Sequence, residues 1–409
     1  MTELFPELAD AAEPITFKPT RADGLKRLEQ FVARTGRHYA RMRNYDFGAK
    51  RRSNVSALSP WLRHRLITEE EVLARVLAAH SPSAAEKFIQ EVFWRTYFKG
   101  WLEQRPSVWT QYQRDLMTAR DRLANDASLE SRFKDATAGN TGIDCFDHWA
   151  HELAATGYLH NHARMWFASI WIFTLRLPWQ LGADFFLRNL MDGDPASNTL
   201  SWRWVGGLHT KGKTYLARPD NIAKYTEGRF QPAGLATFAE PQTEPLDHPR
   251  VPLSAPHARL NGPFLLLLTE DDLSGADMIE VSPMSVLGLL ATEGRSPNSI
   301  GLAAEDFATG AMASTLEPYG VTPTSAEDWS VPLIEAAEQA GVTTIATPYA
   351  PVGPVRSRLD RAEPVLRDAG LSLNRATRLY DTLAWPHAKA GFFGLKKNIP
   401  SLLSQMKLS

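Results

Sequence analysis

From about Phe17 to Phe230 apolar residues recur every three to four positions, as in GLKRLEQFVART, AAEKFIQEVFWRTYFKGWL and HARMWFASIWIFTLRL, and alternating runs are few. A helix presents one face at that period, so the first half is expected to be an all-helical domain. Between about residues 231 and 262 the stretch QPAGLATFAEPQTEPLDHPRVPLSAPHARLNG loses periodicity and gains proline, as a chain crossing the surface between domains does. Beyond it FLLLLT, starting at Phe264, reads as a buried strand, and residues 286–291 form a second apolar stretch. Residues 332–340 read as a helix, VTTIAT as a strand, 352–369 as an amphipathic helix and LSLNRA as a further strand. Strands alternating with helices predict a smaller, doubly wound parallel α/β domain. The expected fold class is therefore multidomain: a helical domain over residues 1–240, a linker over 241–262 and an α/β domain with a C-terminal tail over 263–409. The tail GLKKNIPSLLSQMKLS reads equally as a packed helix or a frayed end.

Composition narrows the function classes. Lys plus Arg number 45 and Asp plus Glu 46, a net charge of -1, so nothing global calls for nucleic acid and any such contact must come from a local patch. The single cysteine, Cys145, excludes an intramolecular disulfide and a multi-cysteine zinc site, in keeping with a reducing compartment. The start MTELFPELADAAEP is acidic and lacks the apolar core of a secretory signal, and no run of about 18 apolar residues offers a membrane span. A cytoplasmic monomer without membrane contact is expected. The chain has 12 tryptophans, which core packing explains but which also suffice to carry electrons.

Three segments concentrate polar chemistry. In SNVSALSPWLRHRL, Ser59 is expected as a helix N-cap with Pro60 at the first helical position and Ser56 three residues earlier, a donor-rich turn suited to a diphosphate, although Ser-Pro caps are common without any ligand. In EVFWRTYF, Glu91, Trp94 and Arg95 share a helix face; a surface ion pair beside a half-buried indole is the plain alternative. In GYLHNHARMW and PWQLGADFFLRNLMDGDPASNTLSWRW, the residues His160, Asn161, Arg164, Asp192, Asp194 and Asn198 interrupt an apolar run. Buried, they must satisfy one another or a polar ligand; the alternative for DGDPASN is an exposed turn. His and Cys do not cluster at ligand spacing, which argues against a metal.

The ordered set FKPTRADGLKRLEQF, YARMRNYDF, NVSALSPWL, EVFWRTYF, TGIDCFDHWAHEL, GYLHNHARM and DGDPASNTLSWRW, over roughly residues 17–205, resembles the FAD-binding helical domain of the DNA photolyase/cryptochrome family. The resemblance implies FAD as cofactor. It assigns Tyr39, Ser56, Leu58 and Ser59 to the flavin phosphates and ribityl chain. Asn161, Arg164, Asp192, Asp194 and Asn198 fall to the isoalloxazine and the folded adenine, with Arg164 paired to Asp192 and Asn198 facing flavin N5. Glu91 and Arg95 join the flavin-binding set. Trp202 and Trp179 match the inner and middle members of a tryptophan relay; the outer member has no clear match, with Trp149, Trp166 and Trp171 as substitutes. Glu91, Trp94, Asn161, Met165 and Trp204 match the catalytic cavity in which relatives hold a flipped-out pyrimidine dimer, two indoles sandwiching the bases and a carboxyl group hydrogen-bonding carbonyl oxygens that gain charge.

Departures accompany the resemblance. Val55 stands for a threonine of the phosphate loop, His162 for a frequent arginine and Asp144 for a frequent proline, and VGGLHTKGKTYLARPDNIAKYTEGRF replaces the usual stretch after Trp204. Only about sixteen residues precede Phe17, whereas relatives place an α/β antenna domain there, and the α/β unit after Gly262 loosely resembles that domain; a circular permutation is the expectation. A second antenna chromophore of unknown identity is conceivable, although no GxGxxG fingerprint is present. The function expected is a deoxyribodipyrimidine photo-lyase, a blue-light-driven enzyme acting on damaged DNA, with a cryptochrome-like blue-light sensor and a light-inert scaffold as alternatives.

Overall fold

The computed structural model describes residues 14–254, 260, 262–278 and 282–408. The acidic N-terminal segment over residues 1–13 and parts of the expected linker lie outside the described residues. The first half carries α1 (Arg21–Val32), α2 (Arg37–Met42), α3 (Ser59–Arg63), α4 (Glu69–Ala79), α5 (Glu86–Glu103) and α6 (Ser107–Asn125). It continues with α7 (Ala127–Ala138), α8 (Asp144–Thr156), α9 (Asn161–Ser169), a π-helical turn (Ile170–Thr174), α10 (Trp179–Asn189), α11 (Pro195–Val205) and α12 (Pro219–Tyr225). Local sequence sets several of these boundaries. Thr68 and Glu71 close a reciprocal capping box at the start of α4, and Gly157 ends α8 at φ 63°, a left-handed conformation that glycine adopts without strain.

The second half contains β1 (Leu265–Thr269), β2 (Ser285–Leu290), α13 (Leu302–Leu316), β3 (Thr324–Ser325), α14 (Ser330–Ala340), β4 (Thr344–Pro348), α15 (Pro354–Asp368) and β5 (Ser372–Ala376). The five strands form one parallel sheet in the order β3-β2-β1-β4-β5, with Leu265 opposite Ser285 on β2 and Ile345 on β4. Central β1 is buried along its whole length, as a strand covered on both faces requires. Its alternation sorts the two faces. Leu265 and Leu267 pack into a core with Leu333 of α14 and Leu359 of α15. Leu266 and Leu268 join a core that also holds Met312 of α13 and continues into the helical half at Leu28, Trp61 and Phe93.

Two features differ from the sequence expectation, and a third decides a reading it left open. Helix α13 was not foreseen, because much of its buried face is alanine (Ala304, Ala308, Ala311) and offers little apolar periodicity. The tail takes the packed-helix form: after α16 (Leu379–Ala384) it completes α17 (Phe392–Lys396) and forms α18 (Ile399–Gln405), and Leu395 and Leu402, with Tyr380 and Phe392 just before it, share the core that includes α1, α4 and α5. Ser59 occupies the first position of α3 instead of capping it: Leu58 is the cap residue and no side chain caps the turn.

Candidate functional site

The helical half encloses a cavity of about 590 Å³, within the range of roughly 300–1,000 Å³ found for cofactor sites. Its wall brings together Tyr39, Ser56, Leu58, Ser59, Glu91, Trp94, Arg95, Asn161, Arg164, Met165, Asp192, Asp194, Asn198, Trp202 and Trp204, which the sequence spreads over 166 positions. Trp179 lies outside it. Depth grades the set. Tyr39, Leu58, Asp192, Asp194, Asn198 and Trp202 are buried, whereas Ser56, Ser59, Glu91, Trp94, Arg95, Arg164, Met165 and Trp204 are half-buried and Asn161 is exposed, so the mouth mixes the five residues expected at the lesion with four expected at the flavin.

Each wall side chain is fixed by local structure. Asp194 caps α11 and accepts the Ser197 backbone N–H at 2.7 Å, with Pro195 at the helix start. Asn198, one turn on, donates its Nδ2 to the Ala183 carbonyl at 2.8 Å, tying α11 to α10. Arg164 Nη2 donates to Asp192 Oδ2 at 2.9 Å while its Nε donates to the Leu159 carbonyl at 2.8 Å. The loop from Val55 to Leu58 is held by Arg27, which donates to the Ser56 and Val55 carbonyls at 2.8 and 2.9 Å. Ala57 in that loop sits at φ 52°, a conformation costly for a residue with a Cβ and often found at ligand clamps. Both mouth indoles are stacked from outside the cavity wall: Trp204 on Tyr215 at 5.6 Å and Trp94 on Phe392 of α17 at 3.9 Å with a 12° interplanar angle.

Electrostatics follow burial and partners. Burial opposes the charge on Asp194, but Lys99 at 3.5 Å, with Arg95 and Arg63, holds its carboxyl far below the ordinary range. Burial likewise opposes the Asp192 charge, and Arg164 together with the Ser59 hydroxyl brings it down. Glu91 moves the other way: desolvation raises its carboxyl although Arg43 Nε lies 3.3 Å away. At the wall several polar atoms are buried without a partner among the described residues: Arg95 Nε and Nη2, Asp192 Oδ1, Ser197 Oγ and Trp202 Nε1. Each such atom costs about 1–3 kcal/mol if nothing bonds it, so this wall is built for a polar guest carrying both donors and acceptors.

Of the tryptophans expected to form a relay, Trp202 lines the wall and Trp179 does not. Trp202 meets Trp171 edge to face at 6.1 Å, while Trp179 packs on Tyr112 at 5.7 Å and Tyr112 on Trp109 at 5.2 Å. Trp149 and Trp166 stack on each other at 5.4 Å, and Trp166 stacks on His162 of the wall at 4.0 Å. Sequence reasoning missed Arg43, Lys99, Tyr112 and Phe392. Lys99 was within reach, because it falls one turn beyond Arg95 on the same face of α5; the others arrive from separate elements.

Residues 88–234 match the family described as the FAD binding domain of DNA photolyase. This part of the helical half is similar to the FAD-binding domain of photolyases. The deoxyribodipyrimidine photo-lyase of Streptomyces griseus is 31% identical over 206 residues, covering 47% of this chain and 44% of that protein. The Vibrio cholerae photo-lyase is 28% identical over 193 residues, covering 44% and 39%. Among solved structures, a Synechocystis cryptochrome aligns with a TM-score of 0.43 and 24% identity over 56% of this chain and 47% of that one. The chain thus spans less than half the length of these curated relatives. The photolyase-type domain suits its named cofactor: the unpartnered Arg95, Ser197 and Asp192 atoms provide donors and an acceptor at the buried end, and the Arg164–Asp192 pair is anchored beside them.

A second place where ligands bind in doubly wound sheets is the crevice beyond the carboxyl ends of the strands where strand order reverses, here beside β1 and β4. The helical half fills it. Glu270, Asp271 and Asp272 follow β1; Arg63 reaches Asp271 at 2.7 Å, Arg65 reaches Asp272 at 3.1 Å and Asp381 at 2.7 Å, and His64 Nδ1 bonds the Glu270 carbonyl at 2.7 Å. After β4, Glu103 of α5 accepts from Tyr349 Oη and the Val352 N–H, both at 2.6 Å. What remains alongside is a cleft of about 270 Å³ lined by residues including Leu253, Tyr349, Thr377, Asp381 and Trp385. Among the described residues no helix is long and apolar enough to cross a membrane.

Proposed function

We propose that this protein is a cytoplasmic, FAD-dependent, blue-light-driven lyase that repairs cyclobutane pyrimidine dimers in DNA. One observation carries the reading: the residues assigned to the lesion (Glu91, Trp94, Asn161, Met165, Trp204) are among the more accessible lining of the same cavity whose most deeply buried lining, Tyr39, Leu58, Asp192, Asp194 and Asn198, is assigned to the flavin. Reduced FAD, excited by blue light, would supply one electron to the dimer and recover it after the ring splits. The chain's residues prepare that event. Tyr39, Ser56, Leu58 and Ser59 hold the phosphate and ribityl end; Arg95, Arg164, Asp192, Asp194 and Asn198 hold the rings. Trp94 and Trp204 offer flat apolar platforms to bases that have left the duplex stack. Glu91, its carboxyl raised by desolvation, stands where it can hydrogen-bond a base carbonyl that gains charge. Trp202 and Trp179 are the inner and middle electron donors that restore the reduced flavin. We assign residues 1–240 to this domain and 263–409 to the α/β domain with its tail, in an order permuted relative to photolyases. An antenna pigment would have to seat in the smaller cleft, since the switch point is filled.

The test is to illuminate the photoreduced protein with dimer-containing DNA under blue light and follow the return of unmodified thymine absorbance. Recovery supports the reading, and no turnover with reduced flavin bound overturns it. A sensor reading is favoured by one feature: Tyr215, from the stretch after Trp204 that departs from the family pattern, stacks on that mouth indole and bonds His162 at 3.3 Å. That reading expects flavin photoreduction with no preference for lesion-bearing DNA.

A further inference from the structure

We propose that the chain after Asp381, which lies along α5, is the protein's contact with duplex DNA flanking the extruded lesion, and that Phe393 is the wedge that enters the vacated stack. The inference rests on the repair reading above and adds to it a surface outside residues 88–234, the part matched to the flavin-binding family.

Charge marks this segment. Residues 382–409 contain Lys389, Lys396, Lys397, Lys407 and His387 and no Asp or Glu, in a chain whose net charge is -1. It is one local basic stretch that overall composition could not reveal, beside the more basic residues 34–52.

Packing brings the segment to the cavity mouth. It runs antiparallel to α5. Trp385 covers Gly100 so closely that a Cβ there would lie 2.9 Å from the Trp385 backbone; Tyr97 Oη donates to the Ala390 carbonyl at 2.7 Å; Phe392 stacks on Trp94 at 3.9 Å; and Lys396 reaches Glu86 at 3.2 Å. Gln104 and Arg105 add hydrogen bonds to the carbonyls of Trp385 and Lys389 at 3.1 and 2.8 Å. This ladder fixes the backbone on both sides of Phe392 without covering the cavity side of Trp94, because Trp94 lines the cavity and Phe392 does not.

Phe393 is the consequence of that anchoring. Phe392 is 5% exposed, and its neighbour Phe393 is 73% exposed, one residue from the ring that stacks on Trp94, with exposed Lys389 and Lys397 four residues away on either side along the chain. Consecutive Cα atoms are only about 3.8 Å apart, so the Phe393 ring starts one residue from the ring that backs a lesion platform. Extruding a dimer leaves a gap in the duplex, and apolar wedges with flanking cations are the side chains that fill such gaps while gripping phosphates. A single strand has no gap to fill.

The experiment compares Phe393→Ala and the double variant Lys389→Ala/Lys397→Ala with the wild type, all carrying FAD, on one dimer-containing sequence presented as duplex and as single strand. Phe393→Ala is expected to bind the duplex about tenfold more weakly and the single strand unchanged. The lysine variant is expected to lower the salt dependence of duplex binding by about two phosphate contacts. Flavin content and thermal midpoint report that folding is intact. Variants that bind the duplex as the wild type does overturn this inference alone; a wild type that binds neither form in preference to undamaged DNA overturns the repair reading and this inference with it.

Discussion

Two buried constellations of opposite charges, one inside the helical half and one where that half meets the sheet, are built differently. At the cavity, Arg95, Asp192, Ser197 and Trp202 carry polar atoms with no partner among the described residues, around open space. At the carboxyl edge of the sheet, Arg65 engages Glu69, Asp272 and Asp381, and Arg378 clasps Asp272 with two hydrogen bonds of 2.7 Å. Both sets are costly to bury, yet only the second is largely satisfied from within the chain. Its exceptions are Arg63 Nη1, His64 Nε2 and Arg65 Nε, and above all Arg295, with no hydrogen-bonded nitrogen among the described residues and a guanidinium that burial, together with Arg63, pulls down to about 10. The lesson is that buried charge by itself does not mark a ligand site. Unmet hydrogen-bonding capacity facing empty space does, and satisfied capacity marks a joint between halves.

The largest expected effect breaks the joint. Arg65→Met leaves Glu69, Asp272 and Asp381 buried without their shared cation, so chemical denaturation should show a loss of about 3–5 kcal/mol. A loss below about 1 kcal/mol would mean the joint is not what secures the sheet. Next comes the cavity, where the same kind of change should act on the ligand. Asp192→Asn should weaken FAD binding by at least about tenfold, roughly 1.4 kcal/mol, and change the stability of the flavin-free protein by less than the Arg65 variant does.

Acid sharpens the contrast further. Asp272, Asp192 and Asp194 all titrate below their ordinary value in the folded chain: burial opposes each charge, and Arg378, Arg164 and Lys99 respectively lead the groups that outweigh it. A depressed folded pKa means stabilisation that is complete above the ordinary aspartate value and lost as pH falls through the depressed one. Flavin-free protein should therefore lose stability below the ordinary aspartate range, and Asp272→Asn, already lacking its charge, should show a flatter acid limb in urea midpoints. The smallest effect is expected from Trp202→Phe, which removes an indole N–H that bonds nothing among the described residues: stability and flavin content near wild type, with slower photoreduction measured by flavin bleaching under blue light.

How much of this was legible in the sequence depended on whether the signal was local. Helices α1 and α5 announce themselves by period, and β1 by five consecutive apolar or β-branched residues. The cavity set was legible because its polar residues interrupt apolar runs, and the resemblance grouped them. Lost were the features that arise only when distant segments meet. Nothing near Trp94 indicates that Phe392 will cover it, nor does SPWLRHRL reveal that Arg63 and Arg65 will meet acids more than 200 positions away. Helix α13 escaped for the opposite reason: its alanine face packs closely but barely registers as hydrophobic pattern.

The most direct test of the cavity's role is a titration of flavin-free protein with FAD, followed by absorbance and by the rise in thermal midpoint, for the wild type and Asp192→Asn. The account expects saturable uptake of one FAD per chain, a higher midpoint on binding and a weakened variant. Uptake that does not saturate, or that is the same in both proteins, would contradict it.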